Sequence, residues 1–169
     1  MARRSLRSAL IRRPHMQPKA PELRVPFWIG ADGQPRDALT LAELGNSFKV
    51  IFCFKAMCPG CHSVGFPTMK TIYDGLKDKG VGMAVIHTAF DDDPRNSQDK
   101  VAEMQTKYDL PIPFGHDPKV GDKYPTFMQD YRTRGTPFFI ILDPENKIIF
   151  SDFRPDAAKV VEVLGKPAA

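Results

Sequence analysis

The chain is poor in cysteine, with three residues in 169. Three are too few for a disulfide framework, and only Cys58 and Cys61 stand close together. Cys53 is left over in the apolar run VIFCF, where it reads as a small buried hydrophobe. Long apolar runs are also lacking. The longest, around residues 138 to 142, has the length of a strand, which excludes a membrane-spanning helix. Acid is missing from the first 19 residues, which hold Arg3, Arg4, Arg7, Arg12, Arg13 and Lys19. Without them the remainder is close to neutral, so the net charge of +4 describes a tail and not a nucleic-acid-binding face. The tail in turn lacks the apolar core and small-residue cleavage site of an export signal. Residues 1–20 are therefore expected to be a disordered basic extension or a start-site artefact, with Met16 as the natural start. The expected compartment is the reducing cytoplasm, with export as the alternative if the tail is a truncated signal.

What is present is a single globular domain, expected over residues 21–169, with 42% hydrophobic and 26% charged residues. WIG followed by ADGQP predicts a small N-terminal strand or hairpin, and TLAELGN a short helical turn ended by Gly45. KVIFCF, residues 49–54, is a continuous apolar run of the kind buried on both faces of a sheet, and VGMAVIHTAF, residues 81–90, is a second. Between them the spacing predicts a helix from about Gly60 to Lys79, kinked at Pro67. A further helix is expected from Asn96 or Ser97 to Tyr108. LPIPFGHDPKVGDKYP, with four prolines and two glycines, reads as loop. FFIIL and KIIFSDF around DPEN predict a hairpin, and DAAKVVEVLG a last helix. This order describes an α/β domain whose mixed sheet is covered by helices on both faces.

CPGCH, residues 58–62, carries the chemistry, and it admits three readings. As Cys-x-x-Cys-His it is a c-type haem attachment motif, with His116 or one of seven methionines as a second axial ligand. A buried strand directly before the pair and an unconvincing export signal speak against haem. Zinc needs four ligands in a structural site, whereas Cys58, Cys61 and His62 give three and no second Cys-x-x-Cys exists. The third reading is a dithiol that cycles to a disulfide. Placed between strand and helix, Cys58 sits where unpaired N–H groups and the helix dipole favour a thiolate. Pro59 has no N–H to lose there. Cys61, three residues on, is partly covered and within bonding reach, so Cys58 attacks and Cys61 resolves. The acidic loops DDDP, residues 91–94, and HDPKVGD, residues 116–122, lack the spacing of an ion-binding loop and read as solvated rims.

Far along the chain, Gly135-Thr136-Pro137 directly precedes the FFIIL strand. A strand, Cys-x-x-Cys, a helix and a later Thr-Pro before a strand together resemble the thioredoxin superfamily. RGTPFFIILDPENKI and KAPEL…WIGADGQP resemble its redoxin branch, the TlpA/ResA-like thiol-disulfide oxidoreductases, over about residues 20 to 165. The resemblance implies a thioredoxin-like fold and a redox-active disulfide at Cys58 and Cys61. It implies a cis peptide at Pro137, with Thr136 and Pro137 lining the site for an extended substrate chain. It also implies a protein disulfide substrate, a dithiol electron donor, no organic cofactor or metal, and a monomer. Two other readings of the family remain, a peroxiredoxin-like thiol peroxidase and a non-catalytic binding module. Lys55 stands three residues before Cys58, where peroxidases of this fold carry Thr or Ser, and retention of both cysteines disfavours a module that only binds.

Departures from the pattern matter. Met57 replaces the usual Trp before the first cysteine. Phe52 occupies the position of the buried acid of thioredoxins, six residues before Cys58, and HSVGFP after Cys61 has no acid either. The usual proton acceptor for Cys61 is thus missing, and His62, His87 and Lys55 are the candidate replacements.

Overall fold

The structure is a computed structural model, and it describes residues 17–167. The expectation for residues 1–16 lies outside them. Residues at the end of the expected tail are already part of the fold. Ile148 donates its N–H to Pro18 O, and Ala20 donates to Asn146 O, so the folded unit begins ahead of Pro21 and the hairpin loop holds its start in place.

A seven-stranded sheet has the order β2-β1-β5-β4-β3-β6-β7. The strands are β1 (Phe27–Ile29), β2 (Pro35–Arg36), β3 (Lys49–Phe54), β4 (Gly82–Ala89), β5 (Phe114–Pro118), β6 (Phe138–Leu142) and β7 (Ile148–Asp152). Strands β3, β4 and β5 run parallel, while β1 and β6 pair antiparallel on either side of them. The apolar runs predicted as strands, β3 and β6, are buried at every position, as central strands covered on both faces must be. β1 and β2 form the small N-terminal hairpin and join the sheet through β5.

Two cores lie on the two faces. One packs Val50, Phe52 and Phe54 of β3 with Val85 and Phe114 under α1 (Phe66–Leu76), α2 (Lys100–Lys107) and α4 (Ala157–Leu164). Met69, Ile72 and Leu76 recur at helical spacing along α1 and are fully buried; each contributes on the order of 1.5–3 kcal/mol by removal from water. The other core sets Ile51, Cys53, Ile86, Phe138 and Ile140 against Trp28 and against Phe127 and Tyr131 of α3 (Thr126–Tyr131).

Three expectations are corrected. The proline-rich stretch from Leu110 to Pro125 is not all loop, because Phe114–Pro118 forms β5 in the interior of the sheet. The helix α3 after it was not expected. It is six residues long, and its exposed first N–H groups are met by the buried Asp117 carboxylate, which accepts from Thr126 N, Thr126 Oγ1 and Phe127 N. The expected bend at Pro67 takes the form of a π-helical turn over Cys61–Gly65, with Phe66 donating to Cys61 O. Pro67 then falls in the first turn of α1, directly after the π turn.

Candidate active site

The site lies at the C-terminal end of β3, where the chain leaves the sheet and turns at once into helix. Cys58 N–H donates to Lys55 O, and residues 59–60 begin the helical run that continues through the π turn into α1. Cys58 is half-buried and Cys61 is fully buried, and both are free thiols. The Cys61 N–H reaches back to Cys58 Sγ at 3.3 Å, and the Cys58 thiol lies 3.6 Å from Thr136 O. The Thr136–Pro137 peptide is cis. Residues 78 apart in sequence are thereby brought to one sulfur.

The two thiols differ sharply. Burial pushes the Cys58 thiol up, but hydrogen bonds with Cys61 and Thr136 and the charge of Lys55 outweigh it, so Cys58 ionises below the ordinary thiol range. Cys61 is pushed up to about 12, first by burial and then by its hydrogen bond with Cys58. Its surroundings are apolar. Phe52, in the place of the thioredoxin acid, is stacked on Phe139 at 4.7 Å and meets the edge of Phe66 at 5.0 Å. The turn carrying Cys61 sits close over this ring because residue 65 is glycine. A Cβ there would lie 2.8 Å from Pro137 Cβ and 2.9 Å from Phe52 Cζ.

The candidate proton acceptors are all near the loop that leads into the cysteines, but they contact its backbone or other side chains. Lys55 pairs with Asp91 at 2.5 Å and lies over the Phe90 ring. His62 is partly buried, and its Nε2 is 2.6 Å from Ala56 O. A carbonyl can only accept, so Nε2 carries the proton and, in the neutral ring, Nδ1 accepts from Tyr108 Oη. His87 is fully buried in β4 and stacks on Phe54, and its Nε2 accepts the Ala56 N–H at 3.1 Å. Burial, reinforced by the neighbouring His116, lowers it to about 3, so it is neutral in the folded protein.

Sequence reasoning gave Asn96, Asp91 and His116 no part in the dithiol site. Asn96 Oδ1 accepts the Met57 N–H at 2.9 Å, and its amide donates to Asp91. A loop described only as acidic thus forms the outer brace of the active site. Beside Cys58 a groove of about 320 Å³ is lined by Met57, Pro59, His62, Lys100, Met104 and Lys107, among others. Among the described residues no group of three or more His, Cys, Asp or Glu could hold a metal ion, and no helix is long and apolar enough to cross a membrane.

A mixed sheet flanked by helices, with a Cys-x-x-Cys at the β3–helix junction, defines a thioredoxin-like protein. The Redoxin family model matches residues 19–164, and the chain belongs to that family. Among solved structures it is similar to a thioredoxin-like superfamily protein at 26% identity and a TM-score of 0.74, covering 89% of this chain and 99% of that one. The fold is shared with a thiol-disulfide isomerase from Corynebacterium glutamicum (22% identity, TM-score 0.71, 88% and 98% covered). It is shared also with the thioredoxin domain of a thiol-disulfide oxidoreductase from Bacteroides vulgatus (18% identity, TM-score 0.61, 88% and 96% covered). No curated protein matches the chain. The family and fold support a thioredoxin-like redox function.

Proposed function

We propose that the protein is a thiol-disulfide oxidoreductase that reduces or exchanges disulfides of protein substrates through Cys58 and Cys61. The observation that carries this reading is the division of labour between the two sulfurs, one half-exposed and acidified, the other buried with its thiol near 12. The Cys58 thiolate attacks one sulfur of a substrate disulfide. That bond breaks, the other substrate sulfur leaves as a thiolate and takes up a proton, and a mixed disulfide joins Cys58 to the substrate. Cys61 then loses its proton and attacks Cys58 Sγ. The mixed disulfide breaks, the second substrate thiol is released, and the protein is left with a Cys58–Cys61 disulfide. A dithiol partner returns two electrons and two protons. Thr136 and Pro137, beside Cys58, take the backbone of the substrate chain in this reading.

Insulin reduction by dithiothreitol tests it. The wild type accelerates the precipitation of insulin B chain, and Cys58→Ser loses that acceleration. Equal rates for the two proteins refute the catalytic reading, and peroxide consumption above that of the Cys58→Ser control assigns the thiol to a peroxidase instead.

A further inference from the structure

Two consecutive peptide groups, on either side of Ala56, lie between the sheet and the reactive sulfur, and both are gripped. Ala56 is two residues before Cys58. Its N–H donates to His87 Nε2 and its carbonyl accepts from His62 Nε2, while the next N–H, of Met57, donates to Asn96 Oδ1. Side chains from β4, the π turn and the loop before α2 thus hold a segment that has already left β3. A backbone N–H buried at this point needs an acceptor, and Ala56 lies beyond the last paired residue of β3, so a side chain supplies it.

His87 can accept only if its Nε2 is unprotonated, so the neutral ring must carry its proton on Nδ1. His87 Nδ1 lies 3.0 Å from His116 Nδ1. The two residues are register partners on the parallel strands β4 and β5, and Phe54 is the register partner of His87 on β3. Direction therefore follows along the whole chain. Ala56 N–H donates to His87 Nε2, His87 Nδ1–H donates to His116 Nδ1, and His116 holds its own proton on Nε2. The pair is buried, at 0% and 6% exposure, which keeps water from competing for either nitrogen. The charged groups facing it are Asp91 and Lys100 towards His87 and Asp99 towards His116, with Asn96 as the polar neighbour of His87.

We propose that His87 is a positioning residue for Cys58: it holds the Ala56 backbone, and so the Cys58 sulfur, against the Cys61 N–H that stabilises its thiolate, and His116 fixes the tautomer that lets it do so. The proposal rests on the reading of Cys58 as the attacking thiol. It assigns His87 a task on the backbone and not proton transfer to sulfur. Without the acceptor, Ala56 N–H turns to seek another partner. The Lys55–Cys58 turn then loosens, and Cys58 Sγ drifts from the Cys61 N–H that donates to it.

Nitrogen-15 NMR of the histidine rings and titration of the Cys58 thiolate at 240 nm test this in the intact protein. The wild type is expected to show His87 with its proton on Nδ1 and without titration between pH 8 and pH 5. A proton on Nε2 overturns the proposal outright. His87→Leu is expected to slow alkylation of Cys58 at pH 6 by about 3- to 10-fold, the worth of one hydrogen bond, and His87→Gln to restore it by returning an acceptor. Equal thiolate midpoints in the wild type, His87→Leu and His87→Gln also overturn it. If His87→Leu does not fold, His116→Leu decides. It removes the acceptor that fixes the tautomer, and the Cys58 midpoint is expected to rise by a smaller step; no rise refutes the role given to His116. An inactive wild type in the insulin assay defeats the functional reading alone, because the tautomer and the thiolate midpoint are read without substrate.

Discussion

Lowering the pH from 7 to 5 should cost the fold about 2 kcal/mol through His87 alone. In the unfolded chain this histidine takes a proton near pH 6.5, whereas in the folded chain burial, and then His116, depress it to about 3. The unfolded state therefore binds more protons throughout this window. Stability is fully present above about pH 7 and is lost as the pH falls below the unfolded value, until the folded ring itself protonates near pH 3. At pH 5 the unfolded state gains RT ln(1 + 10^1.5), about 2 kcal/mol, and the folded state gains almost nothing. His116 is shifted in the same direction by burial, so it adds to the loss. Urea denaturation followed by Trp28 fluorescence at pH 7 and pH 5 measures the difference. The wild type should lose about 2 kcal/mol or more, and His87→Gln, which cannot titrate, should recover most of that margin. An equal loss in both proteins would show that the ring is not held neutral, and the account of its burial would fail.

Two further outcomes follow from the geometry around the sulfurs. Gly65→Ala places a methyl group within 3 Å of Pro137 and Phe52, so thermal unfolding should show a loss of about 1–3 kcal/mol from overpacking; an unchanged melting temperature means that the π turn is not tightly seated. Cys61, with its thiol near 12 and an aromatic core where an acid is usual, should make resolution the pH-limited step. With Ellman's reagent the second release of thionitrobenzoate, the one driven by Cys61, should quicken about tenfold per pH unit between 7 and 9. A flat profile there requires a proton acceptor that His62, His87 and Lys55, as placed, do not supply.

The parts of the fold legible in the sequence are those where local pattern and tertiary environment agree. β3 after Lys49, and β6 throughout, are apolar because they are covered on both faces, and the DPEN turn links β6 to β7 as its composition suggests. The Cys-x-x-Cys and the distant Thr136-Pro137 were visible for the same reason, as short motifs tied to strand ends. β5 was hidden because its sequence, FGHDP, carries glycine and proline and owes its extended form to pairing with β1 and β4. Gly115 suits the position because a Cβ would come within 3.1 Å of the Trp28 ring. That one omission had consequences. His116 and Asp117 both lie on β5, so neither the partner of His87 nor the cap of α3 could be read from the chain. Asn96 reads in the sequence only as a possible helix start, since nothing local announces that its side-chain oxygen turns back to Met57.

Apart from His62, the grip on the Lys55–Cys58 turn comes from residues 31 to 78 positions further along, on β4, the loop before α2 and the β6 approach. A nascent chain that has made Cys58 and Cys61, but not yet the last third of the domain, carries two unremarkable cysteines. The surroundings of Cys58 are complete only when Thr136 arrives, after β1 to β5 have been made. The site is thus assembled late, from a segment made early and partners made after it, so a fragment that ends before β6 holds both cysteines without their full set of neighbours.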